Sequence, residues 1–205
     1  MSILQTVRTT TASKHNLMEN LIGSDHLNDF SVEEYKLLLS TNYLFHSHLE
    51  HQITVFLSFL EEQEKEQINK LDFSNRIKGF ALENELKKLI SSTVFQELKS
   101  QENTISFSGF ENLLGWLYVA EGSMLGGKMI HKILSQNKEI SLITEFDFYK
   151  DYENKTSLLW KSLKELIEEK CSNENENEQF LDGAEKSYLC FEQSFYKAKT
   201  ILQSK

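Results

Sequence analysis

Not one proline interrupts the 205 residues of this chain, and glycine occurs only 8 times. A β-sandwich, a barrel or a disordered chain carries more of these turn residues, because its frequent reversals need fixed or positive φ angles. Leu, Lys, Glu, Gln and Ser are abundant instead and Val is scarce, which favours helices. Hydrophobic residues make up 40%, enough for a core. The length suits one domain spanning residues 1–205. The expected fold class is therefore all-α: a single-domain, multi-helix bundle.

Charge and cysteine usage narrow the partners. A formal net charge of −9 argues against nucleic acid over the whole surface. No apolar run is long enough to cross a bilayer and the N-terminus does not read as a signal peptide, so no membrane insertion is expected. Cys171 and Cys190 lack metal-type spacing and read as free thiols of a cytoplasmic protein.

Helix starts are signposted. Ser2 with Gln5, Ser31 with Glu34, and Ser108 with Glu111 each match a capping box. Leu4, Val7, Thr11, His15, Met18 and Ile22 then share one helical face, and Gly23–Ser24 ends that helix. A second helix is predicted from Ser31 to about Lys65, with Tyr35, Leu38, Leu39, Tyr43, Phe56 and Phe59 toward the core. The charged run 61–70 reads as a solvated connection. Helices near Arg76–Ile90 and Val94–Lys99 follow. The helix after Ser108 is apolar almost all round from Phe110 to Val119, so it belongs in the middle of the protein. It is expected to continue to about Gln136. Another covers roughly Phe148–Lys170, Ser172–Glu178 reads as a polar loop, and Gln179–Gln203 forms the last helix.

Two features exceed what a plain bundle needs. The first is EGSMLGGKMI, Glu121–Ile130. Three glycines inside one helix cost roughly 3 kcal/mol relative to alanine, at about 1 kcal/mol each. Gly122 and Gly126 lie one turn apart, as do Ser123 and Gly127. They form a bare strip that either receives another helix or lets a ligand approach the backbone. The second is His15, alone on an apolar stripe, either a satisfied core residue or a ligand. Arg8 lies two turns earlier on nearly the same side, either solvated or placed for an acidic ligand. His46, His48 and His51 cluster in HSHLEH, but no Glu-x-x-His set completes a di-iron site. Glu121, in an apolar neighbourhood, reads as hydrogen-bonded structure.

The helix bearing His15, followed much later by YVAEGSMLGG (Tyr118–Gly127), resembles the bacterial, biliverdin-producing branch of the heme oxygenases. The resemblance covers most of the chain, including Leu49–Glu50 and the late helix with Trp160. It implies a bundle with heme sandwiched between a proximal helix and a glycine-containing distal helix. It also implies an oxidoreductase that opens heme to biliverdin, carbon monoxide and ferrous iron. Heme is then both substrate and cofactor, dioxygen is co-substrate, and an external reductase or ferredoxin supplies electrons. On this resemblance His15 is the iron ligand. Gly122, Gly126 and Gly127 are the flexible distal glycines, and Arg8 and Lys128 bind propionates. Ser123 stands where mammalian members carry an aspartate that organises distal water. The segment FYKDYENKTSLLW (148–160) lacks a glycine that the family segment usually contains. The chemistry suits an imidazole, which is neutral and leaves one iron face open, whereas a thiolate would push toward O–O cleavage. Two other readings stand beside this one: a non-enzymatic heme-binding protein for transport, storage or sensing, and a thiaminase-like hydrolase with a cysteine nucleophile beside carboxylates.

Overall fold

The computed structural model of the chain describes residues 2–60, 65–66, 68, 71–150 and 155–204, and every regular element among them is a helix. In order these are α1 (Ile3–Thr10), α2 (Ala12–Leu21), α3 (Val32–Phe59), α4 (Gly79–Leu89), α5 (Ser92–Lys99), α6 (Phe110–Ser123), α7 (Gly127–Leu134), α8 (Asp147–Lys150), α9 (Thr156–Lys170) and α10 (Glu174–Gln203). Short 3-10 turns lie at Leu27–Asp29, Phe73–Arg76, Met124–Gly126 and Ile140–Leu142. The all-α fold expected from composition is the fold observed. Most of the connection 61–70, and residues 151–154 of the helix expected at 148–170, fall outside the described residues.

Two of the three capping boxes form as read. Ser2 caps α1 with Gln5 returning the bond, and Ser31 caps α3 with Glu34. The third does not. The Ser108 hydroxyl donates instead to Gln179 Oε1 at the start of α10, and α6 begins after Gly109 without a side-chain cap. The expected polar loop at Ser172–Glu178 is mostly helix. Asn173 accepts from the Glu176 N–H, Glu176 returns the bond, and α10 starts at Glu174. Its Asn and Glu side chains are those a first helical turn favours. Phe59, expected in the core, is 81% exposed at the end of α3.

As its all-round apolarity requires, α6 is central. It runs against α10 along much of its length and meets α9 on another side, while α10 also packs on α3. The α6–α10 approach is close because two glycines face it. A Cβ on Gly115 would lie 2.6 Å from the Ala184 nitrogen and closer still to the Phe180 carbonyl oxygen, and one on Gly183 would collide with the Asn112 carbonyl. Asn112 Nδ2 bridges the two helices, donating to the Gln179 carbonyl at 3.0 Å and to Asp182 at 2.8 Å. The buried side chains form two clusters. One joins α1, α2, α6, α9 and α10 to the latter half of α3, and the other joins the first half of α3 to α4, α5 and α8. In the second, buried Glu85 accepts from Tyr35 and Thr144 side chains and from the Phe148 backbone N–H, anchoring the segment that leads into α8.

Candidate functional site

A cleft of about 710 Å³ opens between α1–α2 on one side and the α6–α7 wall on the other, with Phe45, Trp160, Tyr188 and Phe191 closing its depth. That volume lies within the roughly 300–1,000 Å³ of ordinary small-molecule sites.

The α1–α2 side is shaped by local chemistry. Thr9, Thr10 and Thr11 each turn a hydroxyl back to a carbonyl four residues earlier, at 3.0, 3.0 and 2.6 Å. Such back-bonding by β-branched residues bends helices, and the helix divides at Thr11. The next helix ends in a Schellman motif: Ser24 N–H donates to the Glu19 carbonyl and Gly23 N–H to that of Asn20. Gly23 takes the left-handed conformation this requires, with φ 67°. Between these two events sits His15, its side chain 56% exposed and lining the cleft. Its Nδ1 lies 3.6 Å from Glu19 Oε2, one turn on. Sequence reading passed over Glu19. A His followed by Glu at i+4 was the available signal, because a carboxylate near one ring nitrogen orients an imidazole and leaves the other nitrogen free.

On the opposite wall the expected continuous helix to Gln136 is broken. The Met124 N–H donates to the carbonyls of Glu121 and Gly122, and the Gly127 N–H donates to that of Met124, so α6 tightens into a 3-10 turn before α7. Gly122, Ser123 and Gly126 line the cleft. A Cβ on Gly126 would meet nothing within 4 Å, and one on Gly122 would meet only the Trp160 ring at 3.6 Å. Among the described residues nothing is seated on Gly126, and at Gly122 it is the Trp160 ring of α9, not a helix backbone, that stands in van der Waals contact. The close helix contact that small residues permit occurs at Gly115 and Gly183 instead. Leu125 and Met129 stand 47% and 62% exposed at the cleft, leaving apolar surface on this wall for a flat apolar ligand to cover. The Ser123 hydroxyl donates to the Ala120 carbonyl at 2.8 Å, so it offers the cleft acceptor capacity only.

Of the remaining residues singled out in the sequence, Arg8 is exposed and lines the cleft, within electrostatic reach of Tyr118. Gly127 and Lys128 do not line it. Gly127 faces Met124 and Tyr149, and Lys128 is exposed outside the lining. One and two residues past Gly126, they project from other sides of the helix. Burial pushes the phenols of Tyr118 and Tyr188 above their usual range, though Arg8 pulls the first back and Thr11 the second.

Directly behind the wall lies a charged cluster. Glu121 Oε1 accepts from Lys78 Nζ at 2.7 Å, and its Oε2 is 3.4 Å from Arg76 Nη1. All three side chains are almost fully buried. Arg76 also donates to the carbonyls of Leu71 and Leu159, at 2.6 and 2.9 Å. Glu50 Oε1 accepts the backbone N–H groups of Lys78 and Gly79 at 2.6 and 3.1 Å. Burial pushes the Glu50 carboxyl upward, against those hydrogen bonds and the Lys78 charge. Glu121 was read as hydrogen-bonded structure; its partners were not foreseen.

The other histidines have separate surroundings. His46 is buried and held neutral, its basicity lowered chiefly by desolvation and then by Lys78. His48 places its ring nitrogens 2.5 Å from the Leu44 carbonyl and 2.6 Å from that of Gln101. His51 is exposed. Among the described residues no group of three or more His, Cys, Asp or Glu could hold a metal ion, and no helix is long and apolar enough to cross a membrane. Burial pushes the thiols of Cys171 and Cys190 up to about 12. Neither is a thiolate near neutral pH, which removes the support for a cysteine nucleophile.

A protein-family model described as heme oxygenase matches residues 1–197. No curated protein matches the chain.

Proposed function

Since this chain belongs to the heme oxygenase family, we propose that it opens heme to biliverdin, carbon monoxide and ferrous iron, using dioxygen and electrons from an external donor. The observation that carries this reading is the pairing across one cleft of a solvent-reachable imidazole, His15, with a wall whose glycine, Gly126, has open space where a side chain would be. The residues present fit the group. The cleft is lined largely by apolar side chains, carries a cation at Arg8, and bears the His15 imidazole, with Glu19 beside its Nδ1.

When bound, heme supplies both the iron that activates dioxygen and the ring that is opened. The protein's own residues do the rest. His15 would hold the iron through its other ring nitrogen, and Glu19 would steady the ring through Nδ1. Gly122 and Gly126 keep the facing wall thin, so that the backbone itself borders the ligand. Ser123 can accept a hydrogen bond from a water held there but is no acid. Gly127 serves the back of the wall, where Met124 and Tyr149 pack. Leu125, Met129 and Phe45 exclude bulk water from the apolar part of the cleft. Arg8 offers charge-assisted hydrogen bonds to a ligand carboxylate, and Lys128 lies exposed outside the lining.

Adding hemin to the purified protein and recording its absorption before and after reduction under oxygen tests the reading. A Soret band that then decays as a bilin band grows is the expected result. A stable ferrous complex would identify a heme-binding protein without turnover, and an unshifted hemin spectrum would reject both. Within this reading, Arg8→Ala should weaken hemin binding without changing iron ligation. An exposed ionic contact is worth roughly 1 kcal/mol, about a fivefold change in affinity. Titration of hemin into both proteins checks this, and equal affinities would remove Arg8 from the site.

A further inference from the structure

Glu121 is 2% exposed in the last turn of the apolar helix α6, yet its carboxylate faces two cations rather than none. Lys78 and Arg76 both come from the segment between α3 and α4, and that segment is itself tied down. Glu50 of α3 holds the Lys78 and Gly79 N–H groups, and the Leu71 and Leu159 carbonyls hold Arg76. Glu121 is thus bound to a frame built from α3 and from the start of α9. At its backbone the same residue does something else. Its carbonyl accepts the Met124 N–H, the bond with which α6 narrows into the 3-10 turn. Just beyond that turn Gly126 faces open space and Gly127 meets Met124 and Tyr149 at ordinary van der Waals distance; past the end of α7, Asn137 Nδ2 donates to the Phe30 carbonyl at 2.8 Å.

We infer that Glu121 is a positioning residue: the Lys78–Glu121–Arg76 cluster pins the residue whose carbonyl starts the turn, and so sets how far Ser123, Leu125 and Gly126 stand into the cleft. Apolar packing alone could hold α6 at a given distance, but it is non-directional. A carboxylate bonded to a fixed ammonium constrains rotation about the helix axis as well. Stability is a poor reason for the cluster, because the desolvation of buried ions largely cancels their attraction. The claim about the wall holds without any ligand. Its consequence for the reaction rests on the heme reading above.

Removing one partner is uninformative by itself, since Glu121→Gln would leave two buried cations facing a neutral amide and is expected to destabilise the fold for that reason alone. The double variant Lys78→Met with Glu121→Met removes equal and opposite charges, roughly keeps the volume, and leaves the one remaining cation, Arg76, hydrogen-bonded to the Leu71 and Leu159 carbonyls and the Ser162 hydroxyl. Amide hydrogen exchange on the ligand-free proteins should then be followed at Met124 and Gly127, whose N–H groups close the turn, and normalised to core amides of α10. The normalised rates should rise by roughly tenfold or more in the double variant, because local opening no longer works against the ion cluster. Unchanged normalised rates would overturn the inference, whatever the global stability. In the heme-loaded proteins the mixture of bilin isomers should shift as well. A wild-type mixture from a variant with fast exchange would overturn the role in the reaction while upholding the anchor. Absence of bilin from the wild-type protein would count against the heme reading, and the exchange rates would still decide the anchor.

Discussion

A His15→Ala variant should fold normally and lose axial ligation of hemin, with the Soret spectrum of the complex changed and bilin formation abolished. Folding is spared because the imidazole is more than half exposed and, among the described residues, its ion-pair partner is Glu19 in the same helix. No core packing is removed. The loss of ligation should be severe. Partners that merely orient a metal ligand cost roughly ten- to a hundredfold in affinity or activity when removed, so Glu19→Gln should show a loss within that range and His15→Ala a larger one. Added imidazole should restore part of the spectrum, since alanine leaves the position it needs. Substituting His51, exposed on α3, should leave the iron spectrum alone. A His15→Ala protein with unaltered spectrum and turnover would exclude His15 as the ligand.

The second large effect separates two classes of glycine. Gly126→Leu should give a stable protein that still binds hemin through His15 but yields little biliverdin, or an altered mixture of isomers. There is room for the side chain, because a Cβ there meets nothing within 4 Å, and that room is the cleft. Gly126→Ala should be a milder version. It could gain up to about 1 kcal/mol of stability from helix propensity. Gly183→Ala should behave in the opposite way. Its Cβ would press into the backbone of Asn112, 2.9 Å from the carbonyl carbon, and backbone cannot rotate aside. Overpacking of this kind costs roughly 1–3 kcal/mol or more, which for a chain of this size lowers Tm by about 2–12 °C. Any protein that remains folded should keep the wild-type isomer pattern. Thermal melts beside bilin yield for the three variants check the contrast. Normal yield from Gly126→Leu would mean that this strip does not border the reacting ligand.

The sequence determined what is local. Ser2 with Gln5 and Ser31 with Glu34 cap helices as read, because both partners lie within one turn of each other. The apolar circumference of Phe110–Val119 required a central helix, and α6 is central. The pattern of glycines announced an unusual stretch at Glu121–Ile130. Asn173 with Glu176 was equally legible and was overlooked, hidden by the polarity of its neighbours. Other features were decided only when the chain closed on itself. Ser108 lost its capping role to Gln179, 71 residues away. The tight helix crossing belongs to Gly115 and Gly183, isolated glycines that form no motif, while Gly122 and Gly126 in the conspicuous motif face a cleft. The cations that balance Glu121 come from a segment more than forty residues earlier. Caps and amphipathic faces follow from neighbours three or four residues apart, which any helix brings together. Which face meets a helix, a cleft or a buried charge depends on the packing of segments far apart in the chain, and only the tertiary structure sets that.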